Sequence, residues 1–395
     1  MCVERNDNFP QLIGSPQDSI SFLEFLLNEA SKSINFDKSL LKKNIRKLIF
    51  DSSFKIKNLT YFSNLPNLEE FWIENASEFN VSILKGQNNL KNLFLGKRVS
   101  DDNYYPSDHI GNPSDISAIK TLVNLESLEL RRCDEVNLSD IKYLKNLKHL
   151  VLRELGFHWD ISSFRTLENL QTLRLSDCPN LSDISVVGKL KNLKEICLNG
   201  CHLKDISDLG SLENLKYLKI SDCSELNDIS AISRLKNLES LEIDRCPSLT
   251  DISAIGEIKN VTKLVLWDFT SVIKVPNLCG LKSLKTLEIW DFPGISNISG
   301  IGMAKNLSEL SLNSCDKLND ISAISTLESL KNLAITCCRN ISNEDFLPIT
   351  KLCDKNLSTV DLTGCYQLRH DDLLFKKLRD TEVEVSYLEW LEPSY

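Results

Sequence analysis

The chain has little of what catalysis needs. Its 395 residues include five scattered histidines, and there is no glycine-rich phosphate loop, no H-E-x-x-H, no C-x-x-C and no G-x-S-x-G. Only His202, next to Cys201 and near Cys197, brings an imidazole close to thiols, and a wall cysteine followed by a turn histidine explains it without chemistry. Long apolar runs are also missing. Nowhere do about 18 apolar residues follow one another, and the opening MCVERNDNFPQLIGSPQDS holds no apolar core of the length of a secretory leader. Nor is there excess positive charge. Lysine plus arginine number 46 against 55 for aspartate plus glutamate, a net charge of −9, so the field repels nucleic acid and anionic membrane and favours a basic partner. The expectation is a cytoplasmic, monomeric protein that is not an enzyme, carries no cofactor or metal, and binds neither nucleic acid nor membrane. The 13 cysteines do not change this, because an odd count on a repeat-locked spacing without an export signal points to reduced thiols.

What the chain does have is repetition. LENLQTLRLSDCPNLSDIS, LKNLKEICLNGCHLKDIS, LENLKYLKISDCSELNDIS and LKNLESLEIDRCPSLTDIS follow one another with a period of 22 or 23 residues. A unit this small cannot bury its own apolar face and must lean on its neighbours, which means a stacked solenoid and one domain. The pattern L-x-x-L-x-L-x-x-C begins at Ile45, Leu68, Leu90, Leu125, Leu147, Leu170, Leu193, Leu215, Leu238, Val261, Leu284, Leu307, Leu330 and Leu357, with a degenerate copy from Asp380, so fifteen strands are expected. In each, alternation of apolar and polar residues buries one face, and successive coils can pair only in parallel. The second half of the unit, D-I-S-x-I-x-x-L, suits a short 3₁₀ or helical turn on the outer wall. Asp115, Asp160, Asp183, Asp205, Asp228, Asp251 and Asp320 are placed to cap it, with Asn58, Asn80, Asn137 and Asn297 as substitutes.

The units resemble leucine-rich repeats, specifically the short repeats of internalins and of the repeat-built regulatory subunits of protein phosphatase 1. Cysteine at Cys178, Cys201, Cys223, Cys246, Cys315, Cys338 and Cys365, where internalins carry asparagine, is similar to the repeats of F-box proteins. The resemblance implies an α/β solenoid: a leucine-rich repeat horseshoe with a parallel concave β-sheet and short turns on the convex side. Residues 1–44 are assigned to a helical N-terminal cap, with an amphipathic helix over 15–32. Residues 45–365 form the solenoid and 366–395 a C-terminal cap with a helix, a strand through Val383 and Val385, and an apolar tail at Leu388, Trp390 and Leu391. Two stretches break the rhythm: the period lengthens to 35 before Leu125, inserting 100–112, whose Tyr104 and Tyr105 are read either as a partner-binding element or as a tolerated surface insertion, and to 27 before Leu357.

Strand positions pointing to solvent offer the candidate partner-binding residues. Trp267 and Trp290 fall at one repeat position in successive coils, flanked by Asp244, Asp268, Asp291 and Glu288, with Tyr217 and Lys219 beside them. Arg131, Arg153 and Arg174 form a basic cluster, read either as a contact site or as a solvated face braced by Glu129 and Glu154. Trp72 and Phe94 form an aromatic patch, open to a partner or covered by the N-terminal segment or the 100–112 loop. Two functions stay in contention: a scaffold or regulator whose concave face binds a protein, and an inhibitor or immunity protein that occludes a toxin or enzyme such as a basic nuclease.

Overall fold

The computed structural model describes residues 45–50, 65–73, 80–96, 115–133, 136–155, 160–353, 355–368, 373–381 and 383–386. The helix expected over 15–32, the insertion 100–112 with Tyr104 and Tyr105, the cap at Asn58 and the tail from Leu388 lie outside them. Fifteen strands, from β1 (Lys47–Phe50) to β15 (Glu384–Ser386), form one open parallel sheet in strict chain order. Coil n below means the repeat that contributes βn. Most strands put alternate leucines or isoleucines into a continuous apolar core, as in β8 (Tyr217–Ser221), where Leu218 and Ile220 are buried while Tyr217 and Lys219 reach outward.

One backbone device recurs at the end of the strands. Arg132, Glu154, Asp177, Asp222, Arg245, Asp268, Asp291, Ser314 and Cys337 all have φ between 47° and 56°, and Gly200 and Gly364 take the same place at 60° and 77°. The left-handed residue swings the chain out of the strand, so that the next side chain drops into the core. That next residue is the expected cysteine at 178, 201, 223, 246, 315, 338 and 365, all buried, and Phe269 and Phe292 in coils 10 and 11. The buried thiols donate to nearby carbonyls, as Cys223 does to Ser221 at 3.4 Å, which fits a small apolar filler with a weak donor.

Outer-wall turns occur where the repeat placed them, for example Ser207–Ser211, Ser230–Arg234 and Ser253–Glu257. The aspartates cap them from one residue further out than a standard N-cap. Each carboxylate accepts the N–H two residues ahead, Asp228 from Ser230 at 2.7 Å and Asp251 from Ser253 at 2.8 Å. Asn80, Asn137 and Asn297 make the same bond. The long period before Leu357 is taken up by helical turns at Asn343–Phe346 and Thr350–Cys353. The C-terminal helix is Leu373–Arg379, with Phe375 and Leu378 buried.

Two features were not anticipated. Asn124, Asn146, Asn169, Asn192, Asn214, Asn237, Asn260, Asn306 and Asn356 donate their amides to a carbonyl of the preceding coil at 2.6–3.0 Å, a ladder that ties the coils along one flank. Coil 10 has no helical turn on its outer wall. An extended run through Val275 and Leu278 replaces it, with the Leu278 N–H donating to Gly300 O at 2.9 Å. Neighbouring coils close in on this run, since a Cβ added at Gly256, Gly280 or Gly300 would strike the carbonyl oxygen of Asn277, Gly256 or Pro276.

Candidate partner-binding face

The solvent face of the sheet over coils 9–12 is built from β9 (Ser240–Asp244), β10 (Lys263–Trp267), β11 (Thr286–Trp290) and β12 (Glu309–Asn313). Register pairs Trp267 with Trp290, Asp244 with Trp267 and Trp290 with Asn313. Both tryptophans are half-buried. Their orientation is fixed by hydrogen bonds: Trp267 Nε1 donates to Asp291 Oδ2 at 2.6 Å, and Trp290 Nε1 donates to Ser311 Oγ at 3.2 Å. An indole whose N–H is engaged on the sheet leaves its apolar surface to solvent.

The same triplet produces both positions. Trp267-Asp268-Phe269 and Trp290-Asp291-Phe292 send tryptophan to solvent, aspartate into the left-handed turn and phenylalanine into the core. The two buried phenylalanines pack with ring centroids 5.0 Å apart. They fill the core at a place where most other coils carry a cysteine.

Two features set the environment of the pair, and the second departs from the flank read in the sequence. The cation over Trp267 is the Arg245 guanidinium, 4.5 Å from the ring centroid, whereas Lys263 pairs with Glu288 at 3.3 Å. Asp244 is no part of an open acidic rim. It is 5% exposed, accepts the Ser221 hydroxyl at 2.7 Å and meets Arg245 at 3.0 Å, and burial pushes its carboxyl above the usual range against those two favourable contacts. Arg245 also holds Asp222 through two bonds of 2.6 Å. Asp268 and Asp291 remain half-exposed.

The arginine cluster is internally neutralised. Arg131 pairs with Glu129, Arg132 with Glu154 at 2.8 Å, Arg153 with Glu154 and Asp177 at 3.4 and 3.3 Å, and Arg174 with Glu195 at 2.6 Å. Glu129 and Glu154 brace these arginines, with Glu129 itself buried. Trp72 and Phe94 do stack, with centroids 5.1 Å apart, but Phe94 is only 2% exposed, hemmed in by Trp72 and by the Arg131 guanidinium 5.8 Å from its ring. Phe94 therefore offers no contact surface of its own. Lys219 lies 3.8 Å from Glu242, and burial pushes the Tyr217 phenol above its usual range.

The thiol and imidazole do not converge. Cys201 is buried, while His202 is exposed and lies 3.9 Å from Glu225. Cys197 faces outward, yet burial pushes its thiol up to about 12, far from a reactive thiolate. Among the described residues no group of three or more histidine, cysteine, aspartate or glutamate side chains could hold a metal ion, and no helix is long and apolar enough to cross a membrane.

The repeat matches two family models, plant disease resistance protein RPS2-like leucine-rich repeats over residues 204–339 and paired leucine-rich repeats over 168–211. The coils are leucine-rich repeats. Among solved structures, the leucine-rich repeat sheet is similar to that of an internalin from Listeria monocytogenes, 23% identical, with 93% of this chain and 94% of that one covered and a TM-score of 0.61. It is also similar to a leucine-rich repeat protein from Leptospira interrogans, 21% identical, with 92% and 98% covered and a TM-score of 0.59. At these identities the likeness is one of fold. No curated protein matches the chain in sequence.

Proposed function

We propose that the chain is a non-enzymatic, cytoplasmic binding protein that recruits or regulates another protein through the solvent face of its sheet, with coils 10 and 11 at the centre of contact. The observation that carries this is the pair Trp267 and Trp290, half-buried, in register on adjacent strands and oriented by their own N–H groups. The indole N–H bonds and the Arg245 contact fix the rings but leave part of each apolar surface open to solvent. Tryptophan in such a place is the residue type most enriched among binding hot spots. The partner is expected to present a basic surface, because Asp268 and Asp291 border the indoles and the chain carries −9 overall.

The test is affinity capture from native cytosol with the parent and with Trp290→Ala, followed by titration of the captured protein. The variant should bind at least about tenfold more weakly, because truncating a hot-spot residue commonly costs about 2 kcal/mol or more, with its melting temperature unchanged. Equal affinity would move the contact elsewhere.

A second reading, an inhibitor or immunity protein that occludes a basic enzyme such as a nuclease, is favoured by the acidic balance, which would steer a basic target onto the face. A tight one-to-one complex that abolishes the target's turnover supports inhibition. Several weaker partners with activity intact support scaffolding.

A further inference from the structure

The left-handed ladder places chemically different side chains in equivalent surroundings. From coil 8 to coil 13 the N–H of the left-handed residue donates to the carbonyl of the face residue one coil on: Arg245 to Trp267 at 3.1 Å, and Asp268 to Trp290 at 2.9 Å. By backbone position Arg245 therefore stands to Trp267 as Asp268 stands to Trp290. At the first of these places the chain supplies a cation. The Arg245 guanidinium lies 4.5 Å from the Trp267 centroid, steered there by two bonds to Asp222 and by Asp244 at 3.0 Å. At the second it supplies carboxylates. Asp268 sits beside Trp290, and Asp291, the left-handed residue of the next coil, is turned toward this face by its bond from Trp267 Nε1. Among the described residues the Asp268 side chain has neither a hydrogen bond nor an ion pair. The nearest lysine on these strands, Lys263, is already engaged by Glu288, and the following face residues Asn313 and Thr336 are bonded to each other at 2.6 Å and uncharged.

We propose that the face of Trp290 bordered by Asp268 and Asp291 receives an arginine side chain of the protein partner, so that an external guanidinium repeats on Trp290 the contact that Arg245 makes on Trp267. The proposal rests on the binding reading above and specifies its chemistry. Arginine fits better than lysine because a planar guanidinium can lie on an indole while its edge donates in a fork to a carboxylate, whereas an ammonium is a compact, strongly hydrated charge. One side of the cation would meet the ring and another the carboxylate of Asp268, which has no internal partner to give up.

The experiment uses the full chain with ¹⁵N-labelled tryptophan and three probes, N-acetyl-Gly-Arg-Gly-amide and its lysine and citrulline counterparts. Trp267→Phe and Trp290→Phe assign the indole N–H resonances. The arginine peptide should move the Trp290 indole resonance saturably and bind about threefold more tightly than the citrulline peptide, the worth of an exposed cation–π contact. Asp268→Asn should remove that preference without lowering the melting temperature. Equal binding of arginine and citrulline, movement confined to Trp267, an unchanged preference in Asp268→Asn, or no movement with any peptide would overturn the proposal. If Trp290→Ala nevertheless lost the captured partner, the binding face would stand and only the arginine would fall. If Trp290→Ala kept the partner, the face itself would be wrong whatever the peptides did.

Discussion

Asp160, Asp183 and Asp251 each accept a backbone N–H from a serine two residues ahead, and that bond, with help from the serine hydroxyl, holds the carboxyl below its usual range. A lowered folded-state pKa means stability that is present above the unfolded value of about 4 and lost as pH falls through the lower folded value. Asp251→Asn keeps the acceptor and cannot ionise. The gap in melting temperature between parent and variant should therefore hold steady near neutrality and shrink toward zero below about pH 4; a gap indifferent to pH would refute the assignment. Asp244, whose carboxyl burial raises, acts in the opposite sense and loses stability as pH climbs through its window. Removing a cap outright is the plainer test. Asp228→Ala should cost about 1 kcal/mol, with an unchanged denaturant slope, and an unmoved midpoint would count against capping. These caps were legible in the sequence because one coil's own D-I-S spells them. The burial of Asp244 was not, because it comes from Ser221 and Arg245, and the first of these belongs to another coil.

At the scale of one coil, strand positions were readable from the period of two, and the fifteen starts fall on fifteen strands. Outward direction proved a weaker guide than period. Phe94, Glu129, Ser221 and Asp244 all stand at outward positions and all are buried, because long side chains from neighbouring strands lie over the sheet. What went unread was the joint meaning of the W-D-F triplets and the loss of the D-I-S motif between them. Coil 10 gives up its outer turn for an extended run packed against glycines, and coils 10 and 11 fill the cysteine place with Phe269 and Phe292. The asparagine ladder was visible in every L-x-N-L, but the fact that its amides point backward to the preceding coil needed the stack itself. Phe292→Ala should cost about 3 to 5 kcal/mol, the usual loss for a buried phenylalanine, and should loosen the Trp267 and Trp290 N–H bonds above it. Thermal unfolding and indole resonances report the two effects separately. Retention of the parent's stability would show that the phenylalanines are not the floor of the tryptophan site.

At the scale of the molecule, each strand pairs only with its predecessor and successor, and β15 pairs with β14 as any other coil would. Energetics of that kind are a sum of coil terms and nearest-neighbour terms, so a coil should be removable if the phase is kept. Tyr217 and Ser240 are register partners 23 residues apart. Deleting 217–239 therefore joins Lys216 to Ser240, restores L-x-x-L-x-L across the junction and brings β9 onto β7 (Glu195–Cys201) in the register that β8 had held. The deletion takes Ser221 and Asp222 with it, so Arg245 loses its two bonds to Asp222 and keeps its contact with Asp244. The expected product is folded, with parallel-sheet circular dichroism, a single cooperative transition and a somewhat lower melting temperature. Deleting 217–228 instead leaves a junction out of phase with the repeat. The outer-wall segment from Ile229 would then follow Lys216 where a strand is required, and because register is set by the buried face, aggregation or loss of the transition is expected. If the in-phase deletion failed as badly as the out-of-phase one, the nearest-neighbour description of the stack would be wrong.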